Sequence, residues 1–274
     1  MKQNPIGVFD SGYGGLTVLK ELISVLPEYD YLYLGDNARA PYGSRSFDTV
    51  YKYTWQSVQW FFNNGCNLVV LACNTASAKA LRTLQQNNLA AMHTSKRVLG
   101  VIRPTTEVIG SLTKTGHVGI FGTTGTIQSE SYPIEISKFF PEVKVTQEAC
   151  PMWVPLIENN EHDNGGADYF IEKHIDNLLE KDGSIDTVLL ACTHYPLLIS
   201  KIRRKLPDGI SIISQGDIVA RSLKTYLQNH PEMEVSISRK GKREFYTTGD
   251  VDQFKSCALN FYGQSINAKH VDLV

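Results

Sequence analysis

Two stretches of this chain share one pattern: Leu68-Val-Val-Leu-Ala-Cys73-Asn74-Thr75 and Thr187-Val-Leu-Leu-Ala-Cys192-Thr193-His194. In each, a short apolar run rich in Val and Leu ends at a cysteine, the pattern of a buried strand. Polar residues that can open a helix follow each cysteine. A thiol at the C-terminal end of a strand, beneath a helix N-terminus, sits where thiolates become reactive. Two matched thiols of this kind suit chemistry that needs two acid/base groups.

The rest of the chain alternates in the same way. Strands are expected at Ile6–Phe9, Tyr31–Leu34, Leu68–Ala72 and Val98–Ile102, then at Val118–Phe121, Val143–Gln147, Thr187–Ala191 and Ile210–Ser214. Helices are expected between them, at Leu16–Val25, Phe47–Asn63, Ala76–Gln86, Ser129–Phe139, Trp153–Asn159, Tyr169–Glu180 and Leu197–Leu206. A later segment adds helix Ile218–Leu227, strand Glu244–Thr248 and helix Val251–Phe261. Such alternation implies parallel sheets with helices on both faces. Ile6-Gly7-Val-Phe-Asp10-Ser11 also resembles Val118-Gly119-Ile-Phe-Gly122-Thr123, and the two glycines are spaced much as the two cysteines are. The fold class is therefore α/β, with two pseudo-symmetric parallel-sheet units. Ligands of open parallel sheets bind beyond the carboxyl ends of the strands. If the units face each other, both cysteines flank one cleft.

Composition narrows the partners. The net charge is -1, which gives no electrostatic case for nucleic acid or an anionic membrane. No apolar stretch approaches membrane-spanning length, and Met1–Asp10 lacks the apolar core of a signal peptide. The 5 cysteines form no C-x-x-C pair. Free thiols in a reducing cytoplasm are the expectation. A single buried cysteine is more often packing than chemistry, and Cys66, Cys150 and Cys257 are read that way.

Two loops carry further signals. Asp10-Ser11-Gly12-Tyr13-Gly14-Gly15 follows a strand and opens a helix, so its backbone could hold an anionic group. It lacks the third glycine of a dinucleotide fingerprint, and Asp10 would repel a pyrophosphate. A small polar substrate held by Ser11 and the loop, or a tight turn alone, remain as readings. Gly35–Gly43 is long for a strand-to-helix connection, with Pro41 and Gly43 fixing a turn around Tyr42. Asn74 with Thr75, and Thr193 with His194, offer polar groups suited to a substrate carboxylate or ammonium.

Taken together, Phe9–Gly15, Pro41-Tyr42-Gly43, Ala72–Ala76, Ala149-Cys150-Pro151 through Glu158, Ala191–Leu198 and Phe245–Asp250 resemble the bacterial glutamate racemases of the cofactor-independent aspartate/glutamate racemase superfamily. The resemblance runs in order along almost the whole chain. It implies interconversion of L- and D-glutamate for peptidoglycan, with no cofactor and no metal, commonly as a homodimer. It also implies a discontinuous first domain, residues 1–97 plus 212–274, and a second domain of residues 98–211. Cys73 would serve the D-enantiomer's proton and Cys192 the L-enantiomer's. Asp10 and His194 would assist them, with Glu158 orienting His194. Asp10, Ser11, Pro41, Tyr42, Gly43, Asn74, Thr75, Thr124, Thr193 and His194 would contact the substrate. Asp10 could instead bond only local N–H groups, His194 only its own turn, and Glu158 only water. One departure lies at Gly100–Glu107, where Arg103 precedes Pro104 and many members carry an acidic residue. An aspartate or hydantoin racemase shares the scaffold. A ligand-binding regulator and a redox sensor using the two thiols are the alternatives outside racemase chemistry.

Overall fold

In a computed structural model of the chain, residues 4–92 and 95–273 are described. The first half supplies strands β1 (Ile6–Asp10), β2 (Tyr31–Gly35), β3 (Leu68–Leu71) and β4 (Arg97–Gly100). The second supplies β5 (His117–Gly122), β6 (Lys144–Ala149), β7 (Thr187–Ala191) and β8 (Ser211–Ile213). Strands β9 (Arg243–Thr247) and β10 (Ala268–His270) follow. They form two sheets, ordered β10-β9-β2-β1-β3-β4 and β6-β5-β7-β8, with every strand pair parallel.

The order β2-β1-β3-β4 in one sheet is repeated as β6-β5-β7-β8 in the other. The register repeats too. Gly7 of β1 lies opposite Val69 of β3, and Gly119 of β5 opposite Val188 of β7. The sequence repeat is thus a repeat of α/β units, and each cysteine follows the third strand of its unit.

β1 and β7 are buried along their whole length, because side chains on both faces meet helices. Ile6, Val8 and Val70 face the helix Gly15–Val25, while Phe9, Val69 and Leu71 face Phe61 and Phe62 of the helix Phe47–Asn63. Helix Gly15–Val25 buries Leu16, Leu19 and Leu22, and helix Gly216–Asn229 packs against it with Val219, Leu223 and Leu227. Both stripes have the three- and four-residue spacing of one helix face. Through that contact the chain returns from the smaller sheet to the larger one.

Several boundaries differ from the sequence reading for local reasons. The strand expected at Val98–Ile102 ends at Gly100, and Ile102–Thr106 is helical. Pro104 falls in that helix's first turn, where a missing N–H loses no bond. The helix expected from Tyr169 starts at Gly165, because the Asn164 side chain accepts the Ala167 N–H at 3.0 Å. β10 was not expected: Ala268-Lys-His270 is short and polar, and it lies on the sheet edge. The cuts placed at residues 97/98 and 211/212 fall inside β4 and β8. Pairing assigns all of β4 to the larger sheet and all of β8 to the smaller. The chain therefore crosses after Gly100 and returns after Ile213.

Candidate active site

A cavity of about 180 Å³ is lined by Ser11 and Cys73 from the ends of β1 and β3, and by Thr123, Thr124, Cys192 and Thr193 from the ends of β5 and β7. This is the carboxyl edge of both parallel sheets, where loop and helix-start groups converge. Pro41, Tyr42 and Gly43 line it from the loop after β2, and Glu158 and His194 complete the wall. The structure thus brings Ser11, Pro41, Tyr42, Gly43, Cys73, Asn74, Thr75, Thr124, Glu158, Cys192, Thr193 and His194 to one cavity. Asp10 is buried beside it, bonded to Thr193.

The two thiols have unlike surroundings. Cys73 is the N-cap of the helix Asn74–Lys79, its sulfur accepting the Ala76 N–H at 3.4 Å. Ser11 Oγ lies 3.4 Å from the same sulfur. Burial, reinforced by the Asp10 carboxylate, pushes the Cys73 thiol up to about 12, against the two hydrogen bonds that favour its anion. Burial and Asp10 thus both favour the protonated form of Cys73. Cys192 lies beneath no α-helix. A 3-10 turn, Tyr195–Leu198, follows it, and the α-helix begins only at Ile199. The partner of Cys192 is His194, whose Nδ1 lies 3.9 Å from the sulfur. The expected symmetry of two helix-capped thiols is not kept: the segment after Cys192 opens as a 3-10 turn with Pro196 in its first positions.

His194 also bonds Glu158 Oε1 through Nε2 at 2.9 Å. Burial alone would lower this imidazole, but its bonds to Cys192 and Glu158 push it up to about 10. Asp10 Oδ2 accepts the Gly12 N–H at 2.9 Å, and Oδ1 accepts from Thr193 Oγ1 at 3.4 Å. Burial raises the Asp10 carboxyl, while the His194 charge and the N–H groups of Gly12 and Gly15 pull it back. Each thiol thus has a titratable neighbour of its own.

The glycine loop serves close approach between the units. A Cβ on Gly14 would lie 2.3 Å from both His194 Nδ1 and Thr193 Oγ1. The Thr17 hydroxyl completes this contact by donating to Thr193 O at 3.0 Å. A bare backbone is required here for the two site pairs to meet.

Some expected substrate contacts have their side chains engaged elsewhere. Tyr42 donates its hydroxyl to Asp36, which also holds Arg39 Nε at 2.7 Å and Thr248 Oγ1 at 2.8 Å. Its ring forms cavity wall, and burial raises the phenol well above its ordinary value. The Asn74 amide is bonded to Gln215 and Tyr132. Thr75 Oγ1 meets Thr123 Oγ1 across the cleft at 3.0 Å. The loop over the cavity is held from both sides: Lys79 Nζ donates to Arg45 O at 2.6 Å, and Gly125 N to Gly43 O at 2.8 Å.

Thr123 is expected at a ligand-binding strand end but not as a substrate contact, and Asp36 is not expected at the site at all. Thr123 occupies the repeat position of Ser11, and that alignment was the available signal. Asp36 offered none, because its partners come from the loops after β2 and β9. Cys150, expected to be packing, is buried and also lines the cavity; Cys257 is only partly buried. Arg103, the departure noted above, is on the surface and pairs with Glu107 at 2.8 Å.

The chain and its fold are similar to known proteins over their full length. A glutamate racemase of Streptococcus suis (strain 05ZYH33) is 37% identical over 274 residues, covering 100% of both chains. The crystal structure of glutamate racemase isoform RacE1 from Bacillus anthracis superposes with a TM-score of 0.90 at 36% identity, over 100% of this chain and 99% of that one. A glutamate racemase from Francisella tularensis in complex with D-glutamate superposes with a TM-score of 0.88 at 28% identity, again over 100% and 99%. The family model described as Asp/Glu/hydantoin racemase matches residues 7–223, a span that starts in β1 and runs past both cysteines. The match spans both repeated units, and the chain belongs to the Asp/Glu/hydantoin racemase family.

Proposed function

We propose that this chain interconverts L- and D-glutamate by moving the α-proton between two thiols, without a cofactor, and so supplies D-glutamate for peptidoglycan. The observation that carries the reading is the placement of Cys73 and Cys192 on opposite units around one small cavity. Inverting a stereocentre requires a proton to leave one face and another to arrive on the other. One base tends to return the proton to the face it came from, whereas two opposed thiols do not.

In the L-to-D direction, the α-C–H bond breaks as an S–H bond forms on Cys192. The S–H bond of Cys73 breaks as a new C–H bond forms on the opposite face. The D-to-L direction exchanges these roles. The favoured protonated form of Cys73 matches its part as the acid toward L-glutamate. To Asp10 beside Cys73, and to His194 with Glu158 beside Cys192, we assign the holding of protons that reset the pair; their proximity supports this. The carbanion has no electron sink, so hydrogen bonds aimed at its carboxylate must stabilise it. Ser11, Gly43, Thr75 and Thr193, with Asn74 through its backbone N–H rather than its engaged amide, are the groups we assign to the substrate's charged ends. Tyr42, Pro41 and Thr124 shape the wall.

The five cysteines are free, which fits a reducing cytoplasm. A homodimer is the assembly we expect, and sedimentation at micromolar concentration checks it. The deciding experiment is a circular-dichroism time course on pure L-glutamate with no added cofactor. Decay of the signal to zero supports the reading. A flat trace sinks it, and decay only with L-aspartate or a hydantoin reassigns the substrate within the family.

A further inference from the structure

Behind the cavity, three buried side chains close a ring of hydrogen bonds. Asn74 Nδ2 donates to Gln215 Oε1 at 2.7 Å, Gln215 Nε2 to the Tyr132 hydroxyl at 2.6 Å, and that hydroxyl to Asn74 Oδ1 at 2.5 Å. Gln215 Nε2 also reaches Thr105 Oγ1 at 3.0 Å and Val101 O at 3.2 Å. Tyr132 and Thr105 are fully buried, and Gln215 is 5% exposed. Bonds in such a closed ring polarise one another and leave no cheap way to break one alone.

The positions of these residues give the ring its meaning. Val101 and Thr105 stand where the chain leaves the larger sheet, just after β4. Gln215 stands where it returns, between β8 and the helix Gly216–Asn229. Tyr132 belongs to the helix Ser131–Phe139 of the smaller unit. Asn74 is the residue next to Cys73 and the first of the helix that Cys73 caps. One ring therefore ties both crossovers, and the smaller unit, to the backbone that carries one thiol.

We propose that Gln215 and Tyr132 are positioning residues that fix the spacing of Cys73 and Cys192 across the substrate's α-carbon. They touch neither the substrate nor the thiols. They act through Asn74 and through the two crossovers, whose rotation would change the distance between the units. Inversion needs both sulfurs at the right separation. Exchange of the α-proton with retained configuration needs only one thiol, which takes the proton, trades it with solvent and returns a solvent hydron to the same face. Loosening the ring should therefore damage inversion more than exchange.

The inference rests on the two-thiol racemase reading, and one experiment separates their failures. L-glutamate is incubated in deuterated water with the parent protein, Tyr132→Phe and Gln215→Met. Loss of the α-proton signal is followed by NMR, and chiral chromatography separates retained from inverted product. Tyr132→Phe keeps the ring in place and removes only the hydroxyl. It carries the test if Gln215→Met does not fold. In each folded variant, inversion should fall on the order of 10- to 100-fold, the scale of a misplacement of about 1 Å. The ratio of retained exchange to inversion should rise. Rates that fall in equal proportion, as a mere loss of folded protein would give, overturn the positioning role, and so do unchanged rates. A parent protein that neither exchanges nor inverts overturns the racemase reading and this inference with it.

Discussion

Cys73 and Cys192 end equivalent strands, yet one sulfur meets a helix N-terminus and a serine and the other an imidazole. Replacing either with serine removes the proton carrier on one face. Cys73→Ser and Cys192→Ser should each lower kcat by at least about 10²–10⁴-fold, measured by the same dichroism assay. The His194 imidazole is held at about 10, above its ordinary 6.5. For a base raised on folding, the folded chain binds the extra proton, so the stabilisation is fully present below about 6.5. It is lost as the pH rises through about 10. The stability advantage of the parent over His194→Gln should therefore shrink across that window by a few kcal/mol. Urea denaturation at a series of pH values reads this out. A constant difference would mean that His194 is neutral in the folded protein.

At the scale of elements, the loop after β1 decides whether the units can close on each other. Gly14→Ala would push a methyl group into Thr193 and His194, both 2.3 Å away. Turnover should fall by about 10²-fold, as for a misplacement of about 1 Å, with far-ultraviolet dichroism unchanged. The helix Trp153–Glu158 is anchored by Trp153, fully buried with its ring 4.9 Å from Tyr195 and 5.1 Å from Phe121. Trp153→Ala should cost about 3–5 kcal/mol in denaturant unfolding, because it leaves a cavity among aromatic neighbours. It should also disturb Glu158, which the same helix carries to His194. Most helices were legible from spacing and caps. β10 and the early start of the helix Gly165–Lys181 were not, because a polar edge strand and an Asn cap before two glycines carry no apolar period.

For the whole molecule, the cleft is a joint product of two sheets and two crossovers. A ligand that binds only the folded chain stabilises it by RT ln(1 + [L]/Kd). D- or L-glutamate at 100 times Kd should therefore add about 2.7 kcal/mol, read as a rise in Tm, and L-lysine should add nothing. An equal rise with both would show that the cavity does not select an acidic side chain. One apolar cluster reaches from Leu16 and Val70 in the larger unit to Trp153, Leu190 and Tyr195 in the smaller. The polar ring sits where the chain crosses between the units, at Val101–Thr105 and Gln215.

The sequence by itself determined the parallel α/β class, the repeat, and the two thiols at strand ends, because these are written in short apolar periods and the residues that follow them. It also placed Asp10, Glu158 and His194 near those thiols through family resemblance. Only the tertiary structure decided the bonds that make the two thiols unlike and that turn the Asn74 amide away. Cys73 lies beside Asp10 and Ser11, Cys192 beside a histidine held by a helix from elsewhere in the chain, and Asn74 is engaged by Gln215 rather than facing the cavity with its amide. The reason is physical: local pattern fixes which face of a strand or helix is buried, but pairing of groups far apart in sequence is set by how the two units pack.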